Sequence, residues 1–173
     1  EFSAKWASLS DSQVNEGIRD PIKVYEYMNK FYVLEGNKRV SVLKYFKAVT
    51  VNAQVIRKIP KKSDDPDVKI YYEFMDFYKA TKLNDIYFSK EGSFTTLMDL
   101  VGIEPGKVMD EDAKKDLVSS YLNFRTAYES RGGDRFDFPV GDAYLRFIHI
   151  HGYDNVKHMT SDEMDKNVAK TWE

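Results

Sequence analysis

Four consecutive residues, Gly36-Asn37-Lys38-Arg39, have the types and spacing to hold a phosphate. Glycine permits close backbone approach, the N–H groups of Asn37 and Lys38 point forward if a helix starts there, and two cations offset anionic charge. Glu35, immediately before them, is the carboxylate nearest the corner and a candidate for a catalytic base. The run lacks the further glycines and the Lys-Ser/Thr pair of a Walker loop. Binding needs only these donors and cations, whereas phosphotransfer or nucleotide hydrolysis also needs a base and, as a rule, Mg²⁺. The residues therefore point to binding ahead of catalysis.

Other constellations carry less. His149 and His151 stand at i and i+2, which on a helix face different ways, so with His158 they form no joint metal site. Asp64, Asp65 and Asp67 resemble a cation cluster, but Asp65-Pro66 is sufficient as a helix start. Arg131-Gly132-Gly133-Asp134 reads as a connecting loop. The stripe Tyr71, Phe74, Phe77, Tyr78 reads as core, with base stacking beside Lys61 and Lys62 as its alternative. No nucleophile elbow accompanies the serines and histidines.

The chain has 173 residues, 14% aromatic, and no cysteine, which excludes disulfide scaffolds, thiol chemistry and thiolate-bound zinc. No apolar run approaches the roughly 20 residues of a membrane span, and no leader is visible, so the expected compartment is the cytoplasm. Net charge is −2, against a uniformly basic nucleic-acid binder. Yet Gly36 to Lys62 holds eight basic residues (Lys38, Arg39, Lys44, Lys47, Arg57, Lys58, Lys61, Lys62) and no acidic one. That asymmetry makes DNA binding through Lys38 to Lys62 an alternative function.

The elements that must position the corner follow from periodicity. Residues 3–15 predict a helix with Phe2, Trp6, Leu9 and Val14 near one stripe, ended by Gly17. Asp20-Pro21 forces extended backbone. Ile22–Tyr27 and Phe31–Leu34 predict a hairpin, and Val40, Leu43 and Phe46 a helix over 37–47. The alternation Val49, Val51, Ala53, Val55 predicts a further strand. After a polar break at 61–67 the pattern becomes helical: 65–78, 92–101, 110–131, 139–151, and a last helix capped by Thr160-Ser161-Asp162-Glu163. Leu117, Tyr121, Leu122 and Tyr128 are predicted to face inward, and Asp85–Ser89 to form a short strand. The fold class is α+β, with a mixed domain over 1–62 and a mainly helical subdomain over 63–173 packed on it.

The order Gly17-Ile18-Arg19-Asp20-Pro21-Ile22, hairpin, Glu35-Gly36-Asn37-Lys38-Arg39, helix and strand resembles the ParB/sulfiredoxin superfamily over residues 14–60. The resemblance implies that Gly36, Asn37, Lys38 and Arg39 cradle a nucleotide phosphate, with Arg19 and Asp20 on the adjoining loop. Its members include CTP-binding DNA-partitioning proteins, sulfiredoxins and free-serine kinases. The chain departs from each. It lacks the sulfiredoxin cysteine, its box is less arginine-rich than that of the partitioning proteins, and the kinase carboxylate has only Glu35 or Glu16 as stand-ins. From Phe2 to the last helix, the chain also resembles an N-terminal region of bacterial BMP-family ABC-transporter substrate-binding proteins. That resemblance implies a periplasmic-binding-protein-like domain as a C-terminal partner. Together they imply a regulatory module for a nucleotide or phosphorylated small molecule, with a nucleotide and Mg²⁺ as the cofactors of an enzymatic alternative.

Overall fold

The computed structural model describes residues 2–15, 17–48 and 50–172, and the side chain of Phe2 is not among the described features. The predicted roles of Phe2 in the helix stripe, Glu16 as a carboxylate and Val49 in a strand lie outside the described residues. The fold is α+β. The chain divides into two compact units, Glu1–Lys61 and Lys62–Glu173.

The first unit runs α1 (Phe2–Asn15), β1 (Ile22–Tyr27), β2 (Lys30–Glu35), α2 (Asn37–Tyr45) and β3 (Ala53–Lys58). The sheet order is β2-β1-β3, with β1 antiparallel to β2 and parallel to β3. The hairpin closes on Met28 and Asn29, both with positive φ (51° and 62°), as a two-residue turn of matching twist requires. Lys30, assigned to the turn from sequence, already belongs to β2.

Alternation on β1 sends Ile22, Val24 and Glu26 to one face, where all three are buried. Val42 and Leu43 of α2 are buried with them. Glu26 is a charged residue in an apolar row, and it is satisfied there. Arg57 Nε lies 2.9 Å from one carboxylate oxygen, and the Asn29 N–H donates to the other at 2.7 Å. The pair thus ties β3 and the hairpin turn to the central strand.

Helix α1 docks on α2. Trp6 Nε1 donates to Ser41 Oγ at 3.3 Å, and the Trp6 and Tyr45 rings meet edge-on at 5.4 Å. Val14, predicted in the buried stripe, is 69% exposed, because α1 meets its neighbour near its start. The third strand begins at Ala53, after the predicted Val51, since the parallel ladder starts where Ile22 pairs with Ala53.

The second unit holds α3 (Pro66–Thr81), α4 (Ser93–Leu100), α5 (Glu111–Ser130), a 3-10 turn (Gly133–Arg135), α6 (Val140–His151), α7 (Tyr153–Val156) and α8 (Ser161–Trp172). Helices α3, α5 and α8 start where the sequence supplies side-chain caps. Asp65 accepts from Asp67 N at 2.8 Å with Pro66 in the first turn, and Asp110 accepts from the N–H groups of Asp112 and Ala113. Thr160 and Glu163 exchange reciprocal bonds as a capping box.

The core of this unit is aromatic. Phe74, Phe77 and Phe94 form one ring cluster, and Phe124, Tyr144 and Phe147 another. Burying each such ring stabilises the fold by about 1.5–3 kcal/mol. Tyr71, Phe74 and Phe77 are buried and belong to the core, while Tyr78 is half-buried with the Lys82 ammonium over its ring. Leu122, predicted inward, is 49% exposed: it lies beside Tyr121 on α5, and the buried positions of that helix are Leu117, Ser120, Tyr121, Phe124, Ala127 and Tyr128.

Asp85–Ser89 is an irregular segment, not a strand. Ile86 and Phe88 bury alternately as a strand's side chains would. The backbone and its ends bond elsewhere: Tyr121 Oη donates to the Asp85 carbonyl, and Ser89 donates to the Asp142 carboxylate. A Cβ at Gly141 would overlap the Tyr87 carbonyl oxygen, so α6 passes this segment at backbone contact.

Candidate functional site

The corner lies where β2 hands over to α2. Gly36 is the N-cap of α2 at φ 105°, ψ 19°, a left-handed conformation that glycine adopts without Cβ strain. A Cβ there would stand 2.6 Å from Ile22 Cγ2. Glycine is required twice over, by dihedral and by its closeness to β1.

Helix α2 begins without a side-chain cap and without an acidic residue in its first turn. The bond from Val40 N to the Gly36 carbonyl, 3.0 Å, closes that first turn. The helix start therefore presents the positive end of its dipole with Asn37 exposed and Lys38 and Arg39 half-buried beside it. By contrast, α3 and α5 fill the same position with aspartates. This arrangement suits an anion.

Arg39 has a second task. Its Nη1 donates to the Pro21 carbonyl at 2.8 Å and to the Asp20 carbonyl at 3.1 Å. The guanidinium thereby fastens the Asp20-Pro21 loop to the first turn of α2, and Ile22 N continues the anchorage by donating to the Asn52 carbonyl at 2.9 Å. The structure thus brings the Asp20 backbone to the corner. Arg19 and the Asp20 residue as a whole are exposed on that loop.

Glu35 is held by Lys23, with Lys23 Nζ 2.8 Å from the carboxylate. That hydrogen bond first, then the lysine charge, with a smaller contribution from the Arg39 charge, keeps the Glu35 carboxyl below its ordinary pKa. A general base working near neutral pH gains from a raised pKa, and Glu35 moves the other way. Its geometry is that of an ion-pair partner at the end of the β1–β2 ladder.

The basic run is partly committed within the fold. Arg57 pairs with Glu26, the Lys58 ammonium lies 4.9 Å from the centre of the Tyr25 ring, and that of Lys62 lies 5.1 Å from the centre of the Tyr72 ring. His149 Nδ1 contacts the Leu145 carbonyl, while His151 Nε2 contacts Thr171 Oγ1. Among the described residues no group of three His, Cys, Asp or Glu could hold a metal ion, and no helix is long and apolar enough to cross a membrane.

Three residues of the corner escaped the sequence reading: Ile22 as the wall behind Gly36, Lys23 as the partner of Glu35, and Pro21 as an acceptor for Arg39. Ile22 and Lys23 follow from the strand register, in which Lys23 pairs with Glu35 across a bulge. Glu26 was legible as an inward charge at i, i+2, i+4 from Ile22 and Val24, and Arg57 occupies the position opposite it on β3.

Comparison of the chain with models of known families, with curated proteins and with solved structures gives no match.

Proposed function

We propose that the first unit is a ParB/sulfiredoxin-like binding module whose corner, Gly36-Asn37-Lys38-Arg39, takes the phosphate of a nucleotide or of a phosphorylated small molecule. One observation carries the reading: α2 starts on a left-handed Gly36 with no side-chain cap, no acid in its first turn, and Lys38 and Arg39 flanking it. The dipole and the backbone donors supply anion affinity, and the two side chains neutralise charge. Arg39 also sets the distance between the corner and the Arg19-Asp20 loop, so the ligand would sit against both. The module regulates rather than reacts in this reading, because Lys23 pairs with Glu35 and lowers its pKa, which weakens it as a base. In this reading it informs an attached domain, of the kind that the BMP-family resemblance implies. Ligand-induced thermal stabilisation, abolished by Lys38→Ala, is its test.

A further inference from the structure

The sheet of the first unit has a second face, opposite the one lined by Ile22, Val24 and Glu26. Register places three cross-strand rows on it. Tyr32, Tyr25 and Ile56 form the middle row, Lys30, Tyr27 and Lys58 the row at the hairpin end, and Glu35, Lys23 and Gln54 the third. The rows are about 7 Å apart, two residues of strand rise. Tyr27 is 45%, Tyr32 53% and Ile56 44% exposed. This is an aromatic row bordered by lysines, and its one carboxylate is paired to Lys23.

We infer that this face binds single-stranded nucleic acid. Tyr32 and Tyr27, both exposed, offer rings on which unpaired bases stack, and stacking of that kind tolerates any base. Lys30, Lys58 and Lys23 lie one row to either side of the middle row, where the backbone phosphates of a strand crossing the sheet would run. Lys58 holds its ammonium over the half-buried Tyr25 ring, which keeps that cation on this face of the sheet. The charge of the face selects this occupant over a second copy. Three lysines, Lys23, Lys30 and Lys58, against the single carboxylate of Glu35 leave the face net positive, so two copies meeting on it repel while a polyanion is attracted. The two tyrosine-bearing rows are separate from the Gly36 corner, whose donors belong to α2, and only the Glu35–Lys23 row adjoins it.

The test is fluorescence anisotropy of a labelled fifteen-nucleotide oligothymidylate against the intact 173-residue chain. Binding in the micromolar range at low salt is expected, with a log–log salt slope near −2 for about three phosphates. The same sequence in duplex form binds at least tenfold more weakly, since its bases are already stacked. Tyr32→Ala, an exposed substitution checked for folding by circular dichroism, weakens the single strand roughly tenfold. Lys38→Ala leaves that affinity unchanged. Absence of single-strand binding, equal affinity for the duplex, or an unaffected Tyr32→Ala protein would overturn the inference. So would a Lys38→Ala loss as large as that of Tyr32→Ala, or sedimentation showing a dimer that Tyr32→Ala dissolves.

Discussion

The Arg39 guanidinium donates to the Pro21 carbonyl at 2.8 Å, so a side chain in the first turn of α2 fixes the loop that enters β1. The same group is a cation of the proposed phosphate corner. Structure and binding are therefore coupled at Arg39. Arg39→Lys keeps the charge but loses the planar guanidinium whose Nη1 donates to both carbonyls. It should lower stability by about 1 kcal/mol, a typical hydrogen-bond contribution, while retaining part of the ligand affinity. Arg39→Ala should lose both. Chemical denaturation and calorimetric titration of the two variants separate the effects.

Gly36 is set by close approach as well as by dihedral. Gly36→Ala should destabilise the first unit by roughly 1–3 kcal/mol, through positive-φ strain and the contact with Ile22. Gly36→Asn discriminates between the causes, because asparagine tolerates positive φ but still carries a Cβ. Both substitutions should therefore be destabilising in urea unfolding. Tolerance of asparagine would reduce the requirement to the dihedral alone.

Glu26 and Arg57 form a buried pair, the carboxylate side chain 1% exposed and the guanidinium side chain 15%. Arg57→Met leaves the carboxylate buried without its cation and should cost about 3–5 kcal/mol. The double change Glu26→Gln with Arg57→Met should cost less than the sum of the singles, the signature of direct coupling in a mutant cycle. Additive losses would mean that the residues act separately.

Three tyrosines of the second unit make stability fall at alkaline pH. Burial pushes the Tyr121 and Tyr153 phenols up to about 12, and burial moves Tyr144 in the same direction. A raised folded-state pKa favours the protonated phenol, so the contribution is fully present below the unfolded pKa of about 10. Between pH 10 and 12 the unfolded chain releases protons that the folded chain retains, and stability declines. Melting temperature followed by circular dichroism should therefore fall across that range, and Tyr144→Phe should flatten the decline.

Helix starts were the most legible part of the fold, because Asp65-Pro66, Asp110 and the Thr160–Glu163 box are local chemistry that needs no tertiary partner. The hairpin and the Gly36 corner were legible for the same reason. What stayed hidden depends on register and neighbours. Ile86 and Phe88 alternate as a strand does, yet no strand pairs with them, and their burial comes from neighbouring helices. Leu122 fits a helical stripe one position too wide. Lys23 could not be assigned to Glu35 without the bulge that aligns them. The tyrosines of β1 and β2 read only as strand formers, because which face stays open depends on where α2 packs.

The central claim is that the Gly36 corner binds phosphate, and a thermal-shift series tests it most directly. The series compares a nucleoside with its mono-, di- and triphosphates and with inorganic phosphate and pyrophosphate, each with and without Mg²⁺. A ligand at a hundred times its dissociation constant stabilises the fold by about 2.7 kcal/mol. At least one phosphate-bearing ligand should raise the melting temperature, the bare nucleoside should not, and Lys38→Ala should remove the rise. No shift with any phosphate-bearing ligand, or a shift that survives Lys38→Ala undiminished, would contradict that claim.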